Sequence, residues 1–402
     1  MVKTFKKPWF GIAIPCTIIA FLGYGSQLLI FNKFPLKENH YRTFNLELIA
    51  LWVSYYIAIV TPPGTPQKDA QLPADYQYKV WENYCEKCKC QKPERTHHCK
   101  VCNTCVLAMD HHCPWTMNCV GLYNFASFLR FLLCIIIATS TLFWHLGKQW
   151  HFLYQFKSSI SSKISYIDVG ILFVMTILDF LVLFSICALF FRCVNNEFIR
   201  GMTQIETWEM DRIESLALND KLMPILLMNV SSVFGIDISK NEKWAISYYN
   251  LLKKSKRWFA NDYVSFPYDN GFFGNINSFM GPLYSWIVPW GKSTVDSTKG
   301  FPKNDIALLE THENELPIDD NSLMHMILSL PWPPEGLKQA KLNEKTNDFF
   351  TLLKSSLPDD FEVNERYLQN NSKIADPRLE LDRSEWYNQD GEDLAYFGVE
   401  EE

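Results

Sequence analysis

The chain has no excess of positive charge: 38 Lys and Arg stand against 44 Asp and Glu, for a formal net charge of −6. Nucleic-acid binders normally carry a basic face, so that class of partner is excluded. No glycine-rich, phosphate-cradling loop is present, which argues against nucleotide-driven chemistry. No short apolar segment with a small-residue cleavage pattern opens the chain, so no removable signal peptide is expected. The 12 cysteines are not spread out as in a small secreted disulfide scaffold. Internal repeats and low-complexity tracts are missing as well.

Long uncharged runs are what the chain does have. Phe10–Phe31 carries no charge over 22 residues, enough to cross about 30 Å of hydrocarbon. Phe44–Val60 contains Glu47 near one end and Trp52, Tyr55 and Tyr56, which suit an interfacial belt. Phe125–Gly147 qualifies once Arg130 sits at the interface, and Val169–Val194 is interrupted by Asp179. An even number of spans puts both termini on one side. Lys3, Lys6, Lys7 and the run Lys68, Lys79, Lys87, Lys89, Lys92, Arg95 and Lys100 place that side in the cytosol. Reduced thiols agree with that compartment.

Eight cysteines and four histidines crowd into Cys85–Cys119, between the second and third spans. Tetrahedral zinc takes four N or S ligands, and residues two apart can pinch one ion. Cys85/Cys88, Cys99/Cys102 and Cys102/Cys105 all have that spacing. Two ions need eight ligands, and more than eight candidates are present. A cysteine left over beside a histidine is a candidate nucleophile with its base. Spacing alone does not remove Cys90 from the ligand candidates, and His97 is unassigned.

The full pattern runs Cys85, Cys88, His98, Cys99, Cys102, Cys105, Asp110 to Cys113, Cys119, Asn124, Phe128. It resembles the DHHC protein S-acyltransferases (palmitoyltransferases), including Pro114-Trp115 after the DHHC tetrad and Asn118–Gly121. The resemblance implies an α-helical polytopic membrane protein. Four transmembrane helices would carry a cytosolic zinc-stabilised cysteine-rich domain between the second and third, followed by a cytosolic C-terminal region. The corresponding boundaries are 1–61, 62–124, 125–194, 195–302 and an acidic, disordered tail over 303–402. One structural zinc would take Cys85, Cys88, His98 and Cys105; the other, Cys99, Cys102, His112 and Cys119. Asp110, His111 and Cys113 then remain for chemistry.

Acyl transfer between thiols wants a thiolate, and free cysteine has a pKa of about 8.5. His111 can take the proton and Asp110 can hold its tautomer. Palmitoyl-CoA, the acyl donor, would load Cys113, and a juxtamembrane cysteine of a membrane-protein client would then take the acyl group. The chain is worth about 0.8 kcal/mol per buried methylene, so it belongs in an apolar cavity between the spans. Phe131, Trp144, Phe173, Phe184 and Phe190 are candidates by type to line it. Lys87, Lys89, Lys92, Arg95 and Lys100 could meet CoA phosphates or headgroups.

The resembled family carries a TTxE motif after the last span. Here it reads Thr203-Gln204-Ile205-Glu206, with Gln204 in place of the threonine that supports the motif aspartate. Asn275 fits a C-terminal Asn motif, with Asn229 as rival. The string from Tyr268 to Gly291 looks like the fungal, endoplasmic-reticulum branch, with the Golgi as alternative. Ile205, Trp208, Ile213 and Leu216 recur at helical spacing, as on a membrane-surface helix, and Phe266–Gly291 reads as irregular. Asp179 is expected to bond Thr139, Ser140 or Thr176. The competing reading is a membrane-anchored cross-brace zinc adaptor or ubiquitin ligase. Such a protein would use every Cys and His as ligand or scaffold and would not need Asp-His beside a spare cysteine.

Overall fold

The computed structural model describes residues 9–67, 84–85, 87–155, 164–218, 222–254, 264–297, 299–307, 320–334, 336, 348–361 and 399–400. Lys3, Lys6, Lys7, Lys68 and Lys79 lie outside them. In chain order the elements begin with α1 (Trp9–Ala20), which continues as π-turns over Phe21–Gly25 and Gln27–Phe31, and α2 (Glu38–Val60). Six short strands follow: β1 (Tyr84–Cys85), β2 (Cys90–Gln91), β3 (His97–Cys99), β4 (Thr104–Val106), β5 (His111–Cys113) and β6 (Asn118–Val120). Then come α3 (Phe125–Gln155), α4 (Tyr166–Cys193), a π-turn over Val194–Ile199, α5 (Gln204–Leu218), α6 (Leu222–Val233) and α7 (Glu242–Lys254). The chain ends with α8 (Gly271–Met280), α9 (Leu283–Ile287), α10 (Asp320–Leu328) and β7 (Val399–Glu400).

Two compact units result. The first joins Met1–Gly64, Met109–Ile199 and Ile276–Val295; the second joins Thr65–Ala108, Arg200–Asn275 and Asp296–Glu402. The expected cysteine-rich domain over 62–124 is therefore divided after Ala108, because its last hairpin packs with the spans. Likewise 276–295 leaves the expected C-terminal region for the first unit.

Among its described residues, that unit contains four helices long and apolar enough to cross a membrane: Phe10–Phe31, Glu38–Val60, Phe125–Gln155 and Tyr166–Ile199. Each extends an expected span or matches it, since a helix continues past the lipid wherever the next turn finds protein partners. Two buried clusters hold the bundle. One contains Leu51, Tyr55, Cys113, Phe125, Phe131, Ile135 and Ala138; the other contains Leu22, Phe44, Leu48, Leu142 and Leu172. A small apolar cavity of about 30 Å³ lies where they meet, lined by Ile19, Leu22, Leu48, Leu51, Ile135 and Ala138 among others. Phe131 is buried and stacks on Tyr55 with ring centroids 4.8 Å apart. Trp144, Phe173 and Phe184 are exposed on the helix surfaces, as lipid-facing aromatics are.

Asp179 is fully buried, yet neither carboxylate oxygen has a hydrogen-bond partner among the described residues. The expected bonds to the threonines do not form. Thr139 and Thr176 donate instead to the carbonyls of Ile135 and Leu172, four residues back along their own helices. Arg130 fastens a distant loop, donating to the carbonyls of Ser285, Trp286, Pro289 and Gly291. The segment expected to be irregular is thus folded, as α8, α9 and a loop held to α3.

In the second unit, Ile205, Ile213 and Leu216 of α5 are buried. The stripe expected on a membrane surface is covered by protein, with α6 its neighbour. The described stretches beyond residue 303 include folded segments where disorder is expected. Leu323, Met326, Ile327 and Leu330 are buried on and after α10, as are Phe349, Phe350 and Leu353 in the helix over 348–355. Their helical spacing was hidden by the acidic residues around them. Finally, β7 pairs antiparallel with β3, setting Glu400 opposite His98 and Val399 opposite Cys99.

Candidate active site and zinc centres

Among the described residues, Cys85, Cys88, His98 and Cys105 form a Cys3His set within the second unit, with all four ligand atoms inside 4.8 Å of one another. The other expected set is divided between the units, with Cys99 and Cys102 in the second and His112 and Cys119 in the first. His98 Nδ1 is 3.4, 3.3 and 3.7 Å from the sulfurs of Cys85, Cys88 and Cys105. Tetrahedral zinc with bonds of about 2.3 Å to S and 2.0–2.1 Å to N requires S···N edges of about 3.5 Å, so the residues fit the ion. Local geometry explains how so short a sequence does this. The Cys88 amide donates to Cys85 Sγ at 3.3 Å, and Lys89 then turns the chain with φ +52°. The antiparallel β3–β4 register sets His98 opposite Cys105.

The same device recurs. The Cys102 amide donates to Cys99 Sγ at 3.3 Å and Asn103 follows with φ +51°. In the first unit, the β5–β6 register sets His112 opposite Cys119, with Nδ1 and Sγ 3.6 Å apart. Cys90 is opposite Cys85 in the β1–β2 pair and is buried against the Cys85 and Cys105 side chains. His97 stands opposite Val106 in β3. Both fall outside the metal sets. Burial and the neighbouring thiols push the Cys105 thiol well up. A bound cation reverses this by taking the thiolate.

Asp110, His111 and Cys113 sit on and beside β5. His111 Nδ1 is 2.7 Å from Asp110 Oδ2, and the ring also hydrogen-bonds Cys113. Phe128 meets the imidazole edge-on at 5.4 Å. Burial works against charge on His111, but its bonds to Asp110 and Cys113 push it up to about 9. Burial would raise the Cys113 thiol; His111 and Thr116 outweigh it and bring it below its ordinary value. The pair is thus biased toward thiolate and imidazolium, with Cys113 only 4% exposed.

Residues that sequence reasoning missed fasten this hairpin to the spans. Asn118 Nδ2 donates to the carbonyls of Thr61 at 2.8 Å and Ile59 at 3.2 Å, the open C-terminal end of α2. Asn124, a motif position with no role assigned above, donates to Thr61 and Cys119 and accepts from the Gly121 amide. Tyr55 donates to the Trp115 carbonyl at 2.7 Å. Gly11 passes so near that an added Cβ would lie 2.0 Å from the Pro114 oxygen. Only orphan carbonyls at a helix end hint at the first two.

The C-terminal motif residues are all in the second unit. Thr203 and Glu206 form a capping box on α5: the Thr203 amide donates to Glu206 at 2.8 Å and the Glu206 amide to Thr203 Oγ1 at 3.3 Å. Glu206 also receives Arg95 in a fork, both contacts at 2.7 Å. Arg95 donates further to the Gly201 carbonyl, and the rings of Phe266, Tyr268 and Phe301 surround its guanidinium. It is buried here and not part of a basic phosphate-facing surface. Gln204 is buried in the first turn of α5. Asn275 is buried and spans the turn before α8, accepting from the Asn270 amide and donating to Asp269. Its rival Asn229 donates to the Pro334 carbonyl.

A family model described as DHHC palmitoyltransferase matches residues 79–211. The palmitoyltransferase PFA4 of Saccharomyces cerevisiae is 39% identical over 396 residues, covering 98% of each chain. That of Kluyveromyces lactis is 37% identical over 404 residues and covers 100% of both. The competing adaptor and ubiquitin-ligase reading falls away. At this identity and coverage the chain belongs to the DHHC palmitoyltransferase family, among its fungal members, and is a multi-pass membrane protein S-palmitoyltransferase.

Proposed function

We propose that the enzyme moves palmitate from acyl-CoA to client cysteines in two exchanges on Cys113. The observation that carries this reading is the Asp110–His111 contact of 2.7 Å beside a buried thiol that neither zinc set uses. In the first exchange the Cys113 thiolate attacks the thioester carbonyl. The CoA thiolate leaves and takes the proton held on His111. In the second, a client thiol gives its proton to His111 and attacks the acyl carbon, and Cys113 leaves as thiolate. Each step trades one thioester for another, so no nucleotide is consumed.

The two Cys3His sets are closed structural zinc sites. Zinc held by these residues would brace the hairpins that carry them, and the acyl chemistry stays with the side chains of Asp110, His111 and Cys113. In this reading Cys99, Cys102, His112 and Cys119 share the second ion, and Gln204 takes the place from which a motif threonine supports Asp110. The acyl chain follows the apolar cluster from Cys113 past Phe131 and Ile135 into the cavity near Leu48. That cavity is far smaller than a palmitoyl chain, so the spans part on loading. The bilayer delivers both substrates, and clients bear juxtamembrane cysteines. The termini face the cytosol of the endoplasmic-reticulum membrane, where reduced thiols persist.

Separating the two exchanges tests the scheme. Enzyme loaded with labelled palmitoyl-CoA and freed of CoA is given a client peptide thiol. Transfer to the peptide supports the scheme. Loaded enzyme that transfers nothing, while acyl-CoA and peptide together react, overturns it.

A further inference from the structure

The π-turn that ends the fourth span carries a buried acid that the two exchanges do not use. Val194–Ile199 leaves α-helical geometry, and such turns are frequent at functional sites. Its Glu197 is 1% exposed. Flanking residues show independently which way this stretch faces. Cys193 and Phe198 both belong to the buried cluster that holds Cys113, Val120 and Phe128, and the Phe198 ring meets Phe125 at 6.4 Å. Here the Glu197 carboxyl is within hydrogen-bonding reach of Asp110, itself 3% exposed, and Glu197 Oε2 is buried with no other partner among the described residues. All of these residues are in the first unit.

Two carboxyl groups in contact and out of water do not both ionise. Asp110 already accepts from His111, so the hydrogen between the acids is donated by Glu197. We propose that Glu197 is a positioning residue of the acyl-transfer centre: its carboxyl fixes Asp110, and through Asp110 the ring and tautomer of His111, toward Cys113. This rests on the catalytic reading of Asp110, His111 and Cys113 given above.

Glu197→Gln keeps an N–H donor, whereas Glu197→Met keeps the length and has none. Each full-length variant is purified and loaded with labelled palmitoyl-CoA in a single turnover, with zinc content measured alongside. Losing one buried hydrogen bond to a charged group slows loading by about 10- to 100-fold. We expect that loss at saturating acyl-CoA for Glu197→Met, with the half-saturating concentration and zinc content unchanged. Glu197→Gln should stay within about 3-fold of wild type, since an amide still donates. A Met variant at wild-type rate overturns the proposal, as does a zinc-replete Gln variant as slow as Met. Should Glu197→Met fail to hold zinc, Glu197→Gln decides: a retained rate supports the donor role and a lost one refutes it. Failure of the underlying reading looks different, since Cys113→Ala protein would then still take the label.

Discussion

Replacing Gly11 by alanine should slow acyl loading without removing any group that takes part in it. The new Cβ would sit 2.0 Å from the Pro114 carbonyl oxygen and 2.6 Å from Met117 Sδ. A carbon meets a carbonyl oxygen at about 3.3–3.6 Å, so the gap has to open by about 1.3 Å. Met117 is flexible and can yield. The carbonyl cannot yield cheaply, because Pro114 lies between Cys113 and Trp115, whose own carbonyl is held by Tyr55. Asn118 anchors the far side of the same turn on Thr61. Either the first span withdraws from the bundle or Cys113 shifts. Misplacing reacting groups by about 1 Å costs on the order of 100-fold in rate. Gly11→Ala should therefore load labelled palmitate about 100-fold more slowly in a single turnover, with full zinc content. A wild-type rate would refute the close approach and the idea that the first span supports the Cys113 turn.

Other variants test separate parts of the account. Glu206→Gln leaves the buried Arg95 guanidinium without its charge partner, which should cost about 3–5 kcal/mol and show as a lowered thermal midpoint. Arg95→Lys should restore little, because an ammonium cannot make the fork; a midpoint equal to wild type in either variant refutes the clamp. His112→Ala should lower zinc content while His111→Ala leaves it intact, and equal zinc in the two would contradict the ligand assignment. Gln204→Thr should keep or raise the loading rate, whereas a severe loss would count against a supporting role for residue 204.

Much of the site is legible in the sequence because its chemistry is local. Cys85/Cys88 and Cys99/Cys102 pinch an ion through short turns whose geometry depends on the next residue or two. Asp110, His111 and Cys113 are neighbours along one strand. The spans are equally plain, since crossing hydrocarbon demands long uncharged helices. What stays hidden depends on pieces of chain meeting across long separations. Nothing around Asn118 announces that its amide will find the last carbonyls of α2, and Gly11 is one glycine among 17 until Pro114 is placed beside it. The Glu197 carboxyl reaches Asp110 through a π-turn that no α-helical period anticipates. The motif Glu206 had no partner in the sequence; its partner is Arg95, which reads there as one more cation of a basic run. The helices beyond residue 303 were masked by averaging, as their few apolar residues are diluted by acids.

The central claim is that Cys113 is the acyl carrier and zinc only holds it in place. Incubating purified protein with labelled palmitoyl-CoA, then locating the label by peptide mapping, tests this most directly. The account predicts a hydroxylamine-sensitive label on Cys113, absent from Cys113→Ala protein that still binds two zinc ions. Label retained in that variant, or zinc lost along with it, would contradict the account.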